Sequence, residues 1–217
     1  MSSRRRPRSV GSSTPSAAPP PHEDALTKDP LQAVLAPCDE SLRGMRDRAL
    51  LMFAWSTGGR RRSEVAAADL AFLQRTGPGE YSFCLTHSKT NQAGADLPEN
   101  HKLVVGPASD ALNAWRDAAG IVEGRIFRQV RKRGHLGAPF SPAAVRDIVR
   151  SRCQLAGVTG DFSAHSLCSR FVTEAGRQGV PVADTMAMTG HRSLKSVLGY
   201  TRVGSAGLAE SSRMLQE

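Results

Sequence analysis

The sequence predicts a mainly α-helical domain with a small antiparallel β-sheet near its front, an α+β fold. Three observations carry this expectation. Apolar residues recur at helical spacing along most of the chain from Ala25 onward. One stretch in the first half alternates like paired strands between turn residues. Helix start and stop residues, Ser141-Pro142 and Gly120, stand where periodic segments begin and end.

Residues 1–24 are arginine, serine, proline and alanine with almost nothing to bury, and read as a disordered basic tail. Arg4, Arg5, Arg6 and Arg8 there read equally as phosphate contacts or as a solvated start. The domain is expected over residues 25–205, with a short tail over 206–217. Leu31, Val34 and Leu35 recur at helical spacing, and residues 46–55 form an apolar helix with Leu50, Leu51, Phe53, Ala54 and Trp55. Thr57, Gly58 and Gly59 break it. Residues 63–68 read as a second short helix, with Asp69 and Leu70 after it. Gly77-Pro78-Gly79 is a turn, residues 81–85 a strand, residues 90–94 another turn and residues 101–105 a returning strand. Residues 109–119 form a helix with Ala111, Leu112, Trp115 and Ala119 inward. A basic stretch over 125–133 precedes a helix over 142–155. The remainder is mostly helical, with starts near Ser163, Pro181 and Ser193. There is no internal repeat.

The 217 residues suffice for one good-sized domain or for one domain with a tail. Lysine and arginine number 29 against 20 acidic residues, a formal charge of +9 that favours a polyanionic partner, nucleic acid first. No apolar run approaches the roughly 20 residues of a membrane-spanning helix, so an integral helical membrane protein is excluded. The basic N-terminus has no apolar stretch behind it and is not a secretory signal. Cys38, Cys84, Cys153 and Cys168 are too few and scattered for a disulfide scaffold, so the expected setting is reducing and cytoplasmic, nucleoid-associated in a bacterium.

Arg60, Arg61 and Arg62 lie directly behind the glycine break and before Ser63 and Glu64. Three adjacent guanidiniums repel one another, so at least one should project to solvent or to an anion, and the guanidinium fork matches phosphate oxygens. Lys89 stands at the edge of a turn beyond the first strand. His165 and His191 each stand near a helix start, where a histidine also serves as a cap. Tyr81 sits in a strand where packing explains it, so a phenol nucleophile would be the only other tyrosine, Tyr200.

Singly these signals are soft, but their order is specific. Arg61-Arg62-Ser63-Glu64, then Ser88-Lys89-Thr90 in a hairpin, then His165, then Thr189-Gly190-His191 with Tyr200 nine residues on, resemble the tyrosine recombinase (phage integrase) family. The resemblance covers the chain from about residue 25 to 205. It implies that family's catalytic-domain fold and a reaction on double-stranded DNA, with a tetrameric assembly on the DNA. Tyr200 would attack a phosphodiester in line, leaving a 3′-phosphotyrosyl link and a free 5′-hydroxyl. Arg61 would neutralise the non-bridging oxygens and Lys89 would protonate the leaving oxygen. His165 would help move the tyrosine proton, and His191 would hydrogen-bond the phosphate. Because the covalent step conserves bond energy, no cofactor and no metal is expected. Arg60, Arg62, Arg131, Lys132, Arg133, Arg170 and Arg192 are the expected DNA-contacting residues.

Two departures stand out. The family's box reads His-x-x-Arg, and here its fourth position is Cys168, a weak donor without fixed charge. Losing one preorganised donor costs ~3 kcal/mol, or ~10²–10³ in rate, so a crippled enzyme is expected. Arg170 would replace it only if the backbone there were not helical. The family's N-terminal core-binding domain is expected to be absent, which would remove half of the DNA clamp. Two rival readings use the same residues. Cys84 with His87 and His165 with Cys168 have the spacings of a Cys₂His₂ zinc set, although Cys84 and His87 would point to opposite faces of a strand. A non-catalytic DNA-binding remnant would rely on residues 125–133 with Arg146, Arg150 and Arg152.

Overall fold

The computed structural model describes residues 30–86, 98–158, 164–191 and 193–201; for Pro30, residues 164–170, Ser196 and residues 199–201 the description is of the backbone alone. The expected tails, the turn over residues 90–94, His87, Lys89 and Arg192 lie outside the described residues.

The helices come in three runs separated by strands, the middle one a single helix. Helix α1 (Pro30–Leu35) leads to α2 (Leu42–Ser56), which begins earlier than the apolar run suggests because Ser41 caps it. The Ser41 hydroxyl accepts from the Gly44 amide at 3.1 Å, satisfying one of the free N–H groups of the first turn. The short α3 (Arg62–Ala66) follows the glycine break. Strands β1 (Leu73–Gly77), β2 (Glu80–Cys84) and β3 (His101–Val104) form an antiparallel sheet in that order. In its register Phe83 stands opposite Lys102, and Tyr81 opposite Val104. Helix α4 (Pro107–Ala119) stops at Gly120 as expected. Strands β4 (Arg128–Val130) and β5 (Leu136–Pro139) form a second, two-stranded antiparallel sheet. Helix α5 (Pro142–Leu155) has the expected bounds, its Ser141 cap accepting from the Ala144 amide at 3.2 Å. Then come α6 (Ala164–Arg177), α7 (Val182–Thr189) and α8 (Leu194–Thr201).

The fold class is the expected one, mainly helical with small antiparallel sheets. The strand count differs. The sequence predicts one sheet, whereas β1 and the β4–β5 hairpin add a third strand and a second sheet. β1 (Leu-Gln-Arg-Thr-Gly) is mostly exposed, and β4 carries charge, so neither shows the alternation that marks a half-buried strand.

The main core lies between α2, α4 and the first sheet. Phe53 is fully buried and meets Phe83 and Phe127 edge-on, with centroids 5.0 and 5.5 Å apart. Trp115 is also fully buried, and its indole N–H donates to the Ile126 carbonyl at 2.9 Å, so its polar atom is satisfied inside the core. A smaller cluster of Val34, Cys38, Leu51, Val149 and Cys153 joins α1, α2 and α5. Cys38, Cys84 and Cys153 are buried in the core. Burial pushes the Cys38 thiol above its ordinary range. On the other side of α2, Trp55 packs edge-on against Phe171 at 5.7 Å and so seats α6 against it.

Arg152 is a correction to the sequence reading. The DNA-binding reading enlists it to hold phosphates, yet it is buried in a knot with Arg46 and Asp47. One Asp47 oxygen accepts from Arg46 at 2.6 and 2.8 Å, the other from Arg152 at 2.7 and 2.9 Å. Arg146 pairs with Asp147 at 2.9 Å, while Arg150 is exposed.

Candidate active site

The site is assembled where the loop after α2 meets the end of α7. Thr57 is fully buried and its hydroxyl donates to Phe53 O at 2.6 Å, closing α2. Gly58 follows with φ +92°, the left-handed region that favours glycine. Space dictates glycine as well as conformation, since a Cβ there would lie 2.3 Å from the Met188 carbonyl oxygen. The chain therefore passes directly against the last turn of α7.

Of the three arginines that follow, one turns inward and two turn outward. Arg60 is 5% exposed; its Nη2 donates to Met188 O at 2.6 Å and its Nη1 lies 3.9 Å from Glu64 Oε2. This corrects its expected place among the DNA-contacting residues, because its guanidinium is enclosed by protein. The cause is geometric: the Gly58 contact leaves the next side chains at the α7 end, and Arg60 is held with Glu64, one turn on, as counter-ion. Arg61 is exposed at the N-cap of α3, and its backbone N–H donates to Glu64 Oε2 at 3.1 Å. Arg62 is exposed at the first helical position. Glu64 is buried and so fixes both the start of α3 and the stance of Arg60.

β3 supplies a second buried cation that sequence reasoning missed. Lys102 is 3% exposed and its ammonium donates to Glu99 O at 2.6 Å and to Ala187 O. Burial and, next, the neighbouring Arg60 charge together lower its pKa from 10.5 to about 8, against the opposing pull of Glu99 and Glu64. A lysine next to alternating Leu103 and Val104 carried a signal only in retrospect: β3 has its buried face on Lys102 and Val104 and its exposed face on Leu103. The proton linkage has a definite sign. Below about pH 8 Lys102 is charged in both folded and unfolded chain, and stability does not respond to it. Between about 8 and 10.5 the unfolded chain still holds a proton the folded chain has released, so stability rises with pH. Denaturant unfolding of wild type and Lys102→Met across this window is expected to show that rise as a difference between them, confined to pH 8 and above.

Helix α7 ends at Gly190, whose φ of +75° forms the left-handed cap and whose N–H donates to Met186 O at 2.8 Å. His191 follows immediately, half-buried, with Nδ1 2.7 Å from the Thr189 hydroxyl. Helix α8 begins three residues later and carries Tyr200 in its last turn, packed with α6 and α7. Val172 of α6 and Val197 of α8 are fully buried. His165, Cys168 and Arg170 all lie on α6, whose backbone is helical throughout Ala164–Arg177. The non-helical backbone that would let Arg170 take over from Cys168 is therefore not present. The side chains of His165, Cys168, Arg170 and Tyr200 lie outside the described residues.

Tyr81 is half-buried, its hydroxyl donating to Asn113 Oδ1 at 2.6 Å, a packing role consistent with its place in a strand. Arg131, Lys132 and Arg133 are exposed on the tip of the β4–β5 hairpin, where Arg133 adopts φ +65°. Among the described residues no carboxylate pairs with them. Among the described residues there is also no group of three histidine, cysteine or acidic side chains able to hold a metal; Cys84 is buried, and its expected zinc partners fall outside the described side chains. No described helix is long and apolar enough to cross a membrane.

Comparison with known proteins adds to this geometry. A family model described as the phage integrase family matches residues 24–206. The tyrosine recombinase XerC of Corynebacterium efficiens is 29% identical over 172 residues, covering 77% of this chain and 50% of the relative. XerD of Bifidobacterium longum is 28% identical over 173 residues, covering 77% of this chain and 53% of the relative. The chain thus spans about half the length of the curated relatives it matches. Among solved structures, XerH site-specific recombinase bound to a palindromic difH substrate is similar with a TM-score of 0.63 and 19% identity, over 88% of this chain and 53% of that one. XerA recombinase is similar with a TM-score of 0.63 and 16% identity, over 88% of this chain and 65% of that one.

Proposed function

The chain belongs to the phage integrase family, and on that premise we propose that it is the catalytic domain of a site-specific tyrosine recombinase acting on double-stranded DNA. The observation that carries the reading is the junction of Gly58 and Arg60 with Met188, which brings the start of α3 and the end of α7 together. Arg61 is the residue after Arg60 and His191 lies three beyond Met188, so two candidate phosphate ligands flank one contact. Helix α8, bearing Tyr200, packs on α7 and on α6.

In this reading Tyr200 attacks the scissile phosphorus, the phosphorus–5′-oxygen bond breaks, and a 3′-phosphotyrosyl link remains. Arg61, exposed and without a described acidic side-chain partner, takes the non-bridging oxygens. Lys89 returns a proton to the leaving 5′-oxygen, His165 receives the phenol proton, and His191 hydrogen-bonds the phosphate. Cys168 supplies no guanidinium, so the step is slow. The XerH structures similar in fold hold difH DNA, which supports DNA as the partner. By family resemblance the assembly is a tetramer on DNA.

A second reading, a DNA-binding remnant without cleavage, is favoured by the exposed trio Arg131, Lys132 and Arg133 on the β4–β5 hairpin. The two separate on one experiment. Nicked duplexes from the DNA flanking the gene are incubated with the chain, and covalent adducts are counted on denaturing gels. A recombinase gives an adduct that Tyr200→Phe abolishes. A remnant gives none, but binds DNA with an affinity that falls steeply with salt.

A further inference from the structure

We propose that Thr189 is a positioning residue that holds His191 as its Nδ1–H tautomer, at a helix end pinned by the buried cations Arg60 and Lys102. The argument is a proton count. Thr189 Oγ1 lies 2.8 Å from Thr185 O and 2.7 Å from His191 Nδ1. A carbonyl oxygen only accepts, so the single hydroxyl proton of Thr189 goes to Thr185. The contact with His191 then needs its proton from the ring, and Nδ1 must donate.

The geometry that enforces this count is held from three directions. Thr185 is buried, with its own hydroxyl bonded back to Pro181 O at 3.2 Å, so the helix turn that receives the Thr189 proton is fixed. Arg60 donates to Met188 O and Lys102 to Ala187 O, placing two cations on the negative end of the α7 dipole. Gly58 leaves no room for Met188 to move toward α2. The two carbonyls immediately before Thr189 are thus anchored from the α2–α3 loop and from β3.

The consequence rests on the reading of His191 as a phosphate ligand. With the proton on Nδ1, Nε2 of the neutral ring is an acceptor, and a phosphate oxygen offers no proton. Nε2 donates to phosphate only in the imidazolium form, so the contact carries a positive charge as well as a hydrogen bond. That charge arrives at a site where Cys168 brings none.

The test does not depend on cleavage. The full chain, labelled with ¹⁵N in histidine and free of DNA, is studied by long-range proton–nitrogen correlation at a pH where the rings are neutral, with His191 assigned by loss of its signal in His191→Gln. Wild type is expected to show His191 with Nδ1 protonated and Nε2 bare. Thr189→Val, close in shape but lacking the hydroxyl, is expected to shift the majority to the Nε2–H form, and Thr189→Ser to restore the wild-type pattern. Arg60→Met and Lys102→Met are expected to reduce the Nδ1–H share while the exposed His135 is unchanged. A wild-type ring protonated on Nε2 overturns the proposal, as does a folded Thr189→Val that keeps Nδ1–H. Should Thr189→Val not fold, the wild-type and Thr189→Ser spectra still decide it. Failure to trap DNA on Tyr200 would leave these spectra untouched, so this proposal and the recombinase reading fail separately.

Discussion

Asp47→Ala is expected to destabilise the domain by about 3–5 kcal/mol, because it strands two buried guanidiniums at once. Arg46, Asp47 and Arg152 are 6%, 4% and 8% exposed, and the carboxylate is the counter-ion both arginines share. Burial on its own would lower the Arg152 pKa; the hydrogen bonds and charge of Asp47, with smaller contributions from Cys38 and Asp39, together outweigh it and raise the pKa above the ordinary value. Arg46 is further held with its guanidinium 4.9 Å from the centre of the Phe140 ring, and Arg152 Nη1 donates to Pro37 O at 2.6 Å. The knot therefore ties α2, α5 and the loop after α1 together. Urea unfolding should show the loss in full for Asp47→Ala. The Asp47→Ala, Arg152→Met double variant should lose less than the sum of the two single variants, since removing both charges relieves the stranded cation. A midpoint for Asp47→Ala within about 1 kcal/mol of wild type would mean the pair is not the structural link described.

Cys168→Arg is expected to raise the rate of covalent adduct formation by ~10²–10³, the reverse of removing one preorganised donor from such a site. The reasoning is local. The backbone of α6 is helical through Ala164–Arg177, so position 168 keeps the spacing of the His-x-x-Arg box relative to His165. Arg170, two positions further along a continuous helix, cannot take that place. Single-turnover trapping on the same nicked duplex measures the rate for each version. An unchanged rate would show that the deficit at Cys168 is made good elsewhere or that the step is limited by assembly.

Much of the helical frame is legible from the chain alone, and the reasons are specific. The α5 helix announces itself through Ser141 and Pro142, and α4 through its apolar stripe and Gly120, because caps and periodicity are local properties. The β4–β5 hairpin is not legible, since its strands are short, lack apolar alternation and flank a basic tip. The sign of burial at charged residues is hidden as well. Arg60, Arg61 and Arg62 are identical in type, and only the approach of Met188, more than a hundred residues away, turns the first inward. Arg152 and Lys102 look like surface cations in sequence for the same reason: their partners Asp47 and the Ala187 carbonyl come from distant segments. Tyr200 is legible as a candidate nucleophile only through the order and spacing of residue types, which do not depend on packing partners.

The central claim is that Tyr200 forms the bond to DNA, and the most direct measurement is the position of that bond. Adduct formed by Cys168→Arg on a nicked duplex is digested with protease and nuclease, and the peptide bearing a nucleotide remnant is sequenced by mass spectrometry. The account predicts the remnant on Tyr200, in a peptide containing α8, and no remnant when Tyr200→Phe is added. A remnant on Tyr81 or on a serine, or an adduct that survives Tyr200→Phe, would contradict it.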